Sequence, residues 1–411
     1  MLANTGSPAL LRHLNTLVVL HAIRDKGSVS RADLHRITSL SRPTINEVVE
    51  DLLNGEVVSE LQEDAASRGS RPGPTARLLR FRAERGHLLA IDIGAESTFI
   101  KIADLDGCIL EQIRLKSRPL ENLFERIHKW VESSLVRVGS EGPTLQQVVI
   151  AAPGIVDPTN GHLRLAPQLE GLNTIPLMDV LNFGCPTVVE NEMHLAVLGE
   201  QWKGAAQDAQ DIVYLGIGVG ISAGIMLQGN IYRGAYGSAG EIGYLPVTQG
   251  PEPGGNLKVA PGAFEAAAGV QALAVLGQRA ASRSGGRALL ELAAGDISMI
   301  DASIVSQSAE AGDPVAISLI DQHAAMIARG IASLALVLNP AVIIIGGGLS
   351  QAGETLMVPL RLHLQSLLPE KAPDLVIAKL ADESAAFGAL RLAMNLNNER
   401  IYANPMTGVA I

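Results

Sequence analysis

Aromatic side chains are scarce in this 411-residue chain, at 3% of positions. Proteins that grip single-stranded nucleic acid stack bases on aromatic rings, so that partner class is disfavoured, whereas duplex recognition needs no such platform. There are two cysteines, Cys108 and Cys185, too few for a disulfide framework or a four-cysteine metal centre, as suits a reducing compartment. No apolar run reaches the roughly 18 residues of a membrane span. The opening stretch MLANTGSPALLRHLNTLVVLHAI lacks the charged head and cleavage site of a secretory signal. The expectation is a soluble, cytoplasmic protein with no membrane partner. Charged residues make up only 18% against 47% hydrophobic, which points to well-packed domains, two or three of them at this length.

A formal net charge of −10 argues against a chain that coats nucleic acid indiscriminately. Charge is unevenly placed, however. Between Ser67 and Gly86 stand Arg68, Arg71, Arg77, Arg80, Arg82 and Arg85 against the single acid Glu84, a focused basic patch. The residues before it read as three helices. In 10–24, Leu11, Leu14, Leu17, Val18 and His21 recur at helical spacing; Ser30 caps RADLHRIT; a third helix starts at Ser41 with Pro43 in its first turn. Ile45, Val48, Val49 and Leu52 make its apolar stripe, leaving Arg42, Thr44 and Asn46 outside. Two helices joined by a short turn, followed by a strand and a Gly/Pro-rich basic loop, have the pattern of a winged helix-turn-helix on duplex DNA. Arg42, Thr44 and Asn46 would meet base edges or phosphates, and Arg68, Arg71 and Arg77 on the wing an adjoining groove.

From Gly86 onward, short β-branched runs alternate with helical stretches, the texture of an α/β body with about two lobes. LLAIDIG, FIKIADL, VVIAAPG, PTVVEN, DIVYLGIG, SAGIMLQ and AVIIIGGG read as strands. Helices are expected near 121–138, 175–182, 192–202, 263–283, 300–308, 313–338, 353–367 and 382–396. Three glycine-rich turns follow strands: Asp92 to Gly94, Gly216 to Gly220, and Gly346 to Gly348. Such turns at strand ends suit ligand loops. Glu190, Asn191 and Glu192 end another strand, where acids and an amide can bind sugar hydroxyls, or simply favour a helix N-terminus.

Taken together, SRADLHRITSLSRPTINEVVEDLL, IDIGAEST, AAPGIVDPTNGHLRLAP, VVENE, GNIYRGAYGSAGEIG, FEAAAG and IIIGGGLSQAGETLMVPLR resemble the ROK family of repressors, open reading frames and kinases. The resemblance implies a winged helix-turn-helix at 1–85 and a two-lobed actin-like, ribonuclease H-like sugar-kinase fold. Its lobes would be 86–205 and 206–381, with a helix at 382–396 packing back on the first. It places Asn191, Glu192, Glu241, Tyr244 and Glu265 around a sugar. Asp92, Gly94, Gly218, Gly220 and Gly347 fall on phosphate loops.

Three departures weaken the kinase pattern, and a fourth removes a metal site. Glu192 stands where family kinases have the aspartate that takes the hydroxyl proton, and a misplacement near 1 Å costs roughly a hundredfold in rate. Ala95 and Glu96 replace Gly and Thr in the first loop, bringing a like charge toward phosphate. Ile217 replaces a threonine in the second loop. Tyr244 replaces the family's zinc-ligating histidine, and no cysteine cluster follows, so no metal and no cofactor are expected. The resemblance implies a sugar-responsive repressor that binds operator duplex DNA and a small carbohydrate as a homodimer or tetramer, and that catalyses nothing. The alternatives are an active ATP-dependent sugar kinase with a fused DNA-binding head, and a body that only dimerises.

Overall fold

The computed structural model describes residues 8–62, 77–139, 145–157, 159–166, 169, 171–247, 262–283 and 285–403. The head is built from α1 (Pro8–Lys26), β1 (Val29–Ser30), α2 (Arg31–Thr38), α3 (Arg42–Asn54), β2 (Val58–Gln62) and β3 (Arg77–Phe81), with strand order β1-β3-β2. Ser30 caps α2 by accepting from Asp33 N, and Ser41 caps α3 by accepting from Thr44 N. These caps satisfy donors that a helix start otherwise leaves open. Ser39, in the left-handed region at φ 58°, makes the sharp turn between the two helices. In α3 the expected stripe Ile45, Val48, Val49 and Leu52 is buried. In α1 the helix stands but the expected stripe does not: Leu11, Leu14 and Val18 are exposed, and Val19, Leu20 and Ile23 go inside. The run LVVL is apolar on several faces, so spacing alone did not select one.

The first lobe carries β4 (His87–Ile93), β5 (Ser97–Asp104), β6 (Ile109–Lys116), α4 (Leu123–Arg137), β7 (Leu145–Ala152), β8 (Ile155–Val156), β9 (Leu163–Leu165), α5 (Leu177–Val180), β10 (Thr187–Asn191) and α6 (Glu192–Lys203). Its five-stranded sheet runs β10-β7-β4-β5-β6, the first three parallel and the β4-β5-β6 meander antiparallel. The second lobe carries β11 (Ile212–Ile217), β12 (Ile221–Leu227), β13 (Asn230–Ile231), α7 (Ala263–Ala268), α8 (Val270–Ala281), α9 (Arg287–Leu292), α10 (Ala302–Glu310), α11 (Pro314–Leu338), β14 (Val342–Gly346), α12 (Gly353–Leu367) and β15 (Asp374–Ile377), and α13 (Ser384–Ala403) follows. Its sheet runs β13-β12-β11-β14-β15, again a three-strand meander continued by two parallel strands. The two lobes therefore share one topology, a repeat that lies in strand pairing and leaves no short-period trace in the sequence. The single helix expected over 263–283 is two, divided at Gly269, and α9 was not expected.

α13 returns across the hinge and lies on α6, β4 and β7 of the first lobe. The two helices cross closely because both contact positions are glycine. A Cβ on Gly388 would sit 1.7 Å from Leu195 O, and one on Gly199 would sit 2.1 Å from Ser384 O. Beside the crossing, the buried Glu200 carboxylate of α6 accepts from Ala205 N (2.7 Å), Lys379 N (3.1 Å), Leu380 N (2.9 Å) and Ser384 Oγ (2.7 Å). Both chain crossings between the lobes are thus tied to one side chain. A single apolar cluster runs from Val19, Leu52 and Leu79 of the head through Leu88, Leu105 and Met394 to Leu195 and Ile344.

Candidate functional site

A cleft of about 720 Å³ opens between the lobes, and its walls include Glu192 from the first lobe and Glu241, Tyr244 and Glu265 from the second. Glu192 is the first residue of α6, set there because Asn191 ends β10 and caps the helix: Asn191 Oδ1 accepts from Met193 N (2.8 Å) and His194 N (3.0 Å). Asn191 Nδ2 donates to Gly154 O at 2.7 Å. Asn191 also lines the cleft, but both ends of its amide already serve the fold. Glu265, on α7, accepts from Ile221 N at 3.1 Å. Glu241 precedes the short helical turn Ile242–Tyr244, and Tyr244 ends it.

The carboxyls repel one another in a partly buried site. Burial first, then the charge of Glu241, pushes Glu192 up to about 7. Glu241 is raised by burial, eased by His194 and raised again by Glu265. Glu265 is raised by burial against its backbone hydrogen bond. Asp92, at the end of β4, is held well above the carboxylate range by burial and by Glu192, despite the pull of Lys101. Three carboxyls and the Tyr244 phenol on the cleft wall, with Arg279 also lining it, suit a neutral polyol whose hydroxyls can hydrogen-bond to each.

Of the glycine turns, Gly94 N donates to Ser97 O at 3.1 Å and Gly218 N to Gly220 O at 2.9 Å. Gly347 has φ +77°, and a Cβ there would meet Ile217 O at 2.6 Å, so the second and third turns lie against each other. Ile217 is fully buried and belongs to the second lobe's apolar core together with Phe264 of α7 and Ile327 of α11. The family's zinc does not fit the donors here: Tyr244 is 41% exposed, and the two thiols stand elsewhere, Cys108 exposed after β5 and Cys185 before β10. Among the described residues no cluster of three or more His, Cys, Asp or Glu suits a metal ion.

In the head, Arg42 and Asn46 are exposed at the leading end of α3, and Thr44 Oγ1 is 2.8 Å from Ser41 Oγ. Arg68 and Arg71 lie outside the described residues. Arg77 pairs with Glu60 at 2.9 Å. Arg80 and Arg82 meet Glu84, and Arg85 meets Glu56 at 3.3 Å. The basic patch counted along the sequence is therefore partly neutralised by β2 and the turn before it, which fold against it. No helix among the described residues is long and apolar enough to cross a membrane.

Sequence reading missed two features. Glu190, expected as part of the acidic strand end, does not line the cleft. It pairs instead with His194 and with Arg233 from the second lobe. Arg233 had no signal beyond its place in the stretch GNIYRGAYGSAGEIG.

A profile of the ROK family matches residues 88–395. The xylose repressor of Caldicellulosiruptor bescii is 26% identical over 95% of this chain and 98% of its own length, head included. The glucokinase of Thermotoga maritima is 31% identical over 67% of this chain and 86% of its own. The crystal structure of a ROK family transcriptional regulator, a homologue of the E. coli Mlc protein, superposes with a TM-score of 0.70 at 22% identity, covering 93% of this chain and 96% of that one.

Proposed function

Since the chain belongs to the ROK family, we propose that it is a sugar-responsive, DNA-binding transcriptional repressor whose body binds a small carbohydrate without phosphorylating it. The observation that carries this reading is the union, in one apolar core, of a helix-turn-helix head and a lobed body with a carboxyl-lined cleft. Resemblance over nearly its full length to a protein named as a xylose repressor supports it. Arg42, Thr44 and Asn46 read the operator from α3, and Arg68, Arg71 and Arg77 support them from the wing. A homodimer, or a pair of dimers, matches a palindromic site. Asn191, Glu192, Glu241, Tyr244 and Glu265 surround the sugar. Closure of the lobes on it alters the head, for which a coupling of about 1 to 3 kcal/mol suffices.

The loss of phosphoryl transfer rests on Glu192, Ala95 and Glu96. Ile217 adds to it: its side chain is buried in the second lobe's apolar core and offers no hydroxyl to the loop. A second reading, an active kinase with a fused head, is favoured by the identity to the Thermotoga maritima glucokinase and by a Glu192 poised at about 7, where a general base works. One experiment separates the two. Purified protein is titrated with the DNA upstream of its own gene, with and without D-xylose or D-glucose, and ATP consumption is followed in the same samples. Sequence-preferring binding that a sugar changes, with no sugar-dependent ATP consumption, supports the repressor; ATP turnover abolished in Glu192→Gln supports the kinase.

A further inference from the structure

Glu190 belongs to the first lobe, and both of its oxygens are taken. Oε1 lies 2.9 Å from His194 Nδ1 and accepts from Asn191 N at 2.9 Å; Oε2 accepts from Arg233 Nε at 2.6 Å. Arg233 belongs to the second lobe, in the loop between β13 and the turn that carries Glu241 and Tyr244. The loop folds on itself, since Ala239 N donates to Arg233 O at 3.2 Å, so a shift of Arg233 is passed to Glu241 two residues beyond. A second strap holds the same loop: Arg164 of β9 donates to Tyr236 O. The segment that supplies two cleft residues from one lobe is therefore tethered at two points by the other.

We propose that Arg233 is a positioning residue for the effector, which by its ion pair with Glu190 across the lobes fixes Glu241 and Tyr244 at the separation from Glu192 that a sugar spans. This rests on the sugar-site reading of the cleft. Arg233 itself does not line the cleft, so it acts through the loop rather than by touching the ligand. Glu190 is nearly buried, at 8% side-chain exposure, so removing its cationic partner leaves a buried carboxylate with less compensation and loosens the strand end that carries Asn191 and Glu192.

The test uses the full chain, calorimetric titration with D-xylose and D-glucose, and amide exchange over 232–244 without sugar. Arg233→Ala should weaken the sugar that the unaltered chain binds by about tenfold or more, and Arg233→Lys should recover much of that. In a Glu190→Gln background, Arg233→Ala should cost less than about a further twofold, since the two act as one unit. Exchange at Ala239 and Tyr244 should quicken in Arg233→Ala while α11 keeps its protection. Unchanged sugar affinity in Arg233→Ala, or the same loss in both backgrounds, overturns the proposal. Should the unaltered chain bind neither sugar, the functional reading fails on that arm, and the exchange arm still decides the latch: loop protection unchanged by Arg233→Ala overturns it.

Discussion

Arg24 Nη2, on the last turns of α1, donates to Asp106 Oδ1 at 2.8 Å and so joins the head to the β5–β6 hairpin of the body. The same guanidinium donates to Leu105 O (3.1 Å) and to Asn398 Oδ1 near the end of α13 (2.5 Å), and its carbon lies 4.3 Å from the Phe81 ring centre. One side chain thus gathers α1, the wing strand, the first lobe and the last helix. Hydrogen bonds to a charged group at a partly enclosed site are worth about 1.5 to 3 kcal/mol. Arg24→Ala is expected to lower the stability of the head by about 2 kcal/mol, read from the denaturant midpoint of a fluorophore placed on α3. It should also leave sugar affinity intact while shrinking the effect of sugar on DNA affinity. Retention of the full sugar effect would show that the signal takes another route.

Glu192 gives the protein a pH signature. Its folded pKa, about 7, lies above the ordinary value of 4.5, so the folded chain holds a proton that the unfolded chain has released between those values. Stability from this group is full below about pH 4.5 and is lost as pH rises through about 7. Glu192→Gln should flatten that part of a melting-temperature profile between pH 5 and 8. Sugar affinity should run the opposite way, tightening as pH rises past 7, because an ionised carboxylate accepts hydroxyl hydrogen bonds more strongly. Calorimetry at pH 6 and pH 8 reads the sign directly.

The crossing of α13 over α6 has no room for a methyl group. Gly388→Ala would place a carbon 1.7 Å from Leu195 O, whereas Gly348 has open space around its Cβ position. Gly388→Ala is expected to cost about 3 kcal/mol and to shift the melting temperature downward, with Gly348→Ala as the near-neutral control. Equal melting temperatures for the two would mean that the crossing is looser than its backbone separation implies.

Glu200 accepts four hydrogen bonds from the segments that pass between the lobes. Glu200→Ala leaves three backbone amides and a hydroxyl without their acceptor, so a loss of about 3 kcal/mol is expected. Glu200→Gln keeps shape but turns one oxygen into a donor facing donors, and should fall between the two in thermal melting.

What the sequence disclosed and what it hid divide along physical lines. The caps at Ser30 and Ser41, the stripe of α3 and the strands of both sheets are local, and local spacing carried them. Which face of α1 turns inward was not local: the segment is apolar on several sides, and the body chooses. The run Glu190, Asn191, Glu192 could be read equally as sugar ligands or as a helix N-terminus. Only three-dimensional contacts separate the capping amide, the latch carboxylate and the cleft carboxylate. Likewise the excess of arginines before Gly86 was counted without Glu56 and Glu60, which folding brings to them from the preceding strand region. Glu241 and Glu265 were proposed for the sugar site from family likeness, and the fold gathers them with Glu192 on one cleft although β11, β12 and β13 intervene along the chain.

The apolar interior of the head does not close upon itself; Val19, Leu52 and Leu79 belong to the same mass as Leu88 and Met394. A chimera made by grafting another regulator's reading domain at residue 86 would expose that seam unless the donor also brought its own C-terminal helix. Operator preference and effector response in this architecture are therefore exchanged as a matched pair of chain ends, and an evolutionary change at one end constrains what the other can become.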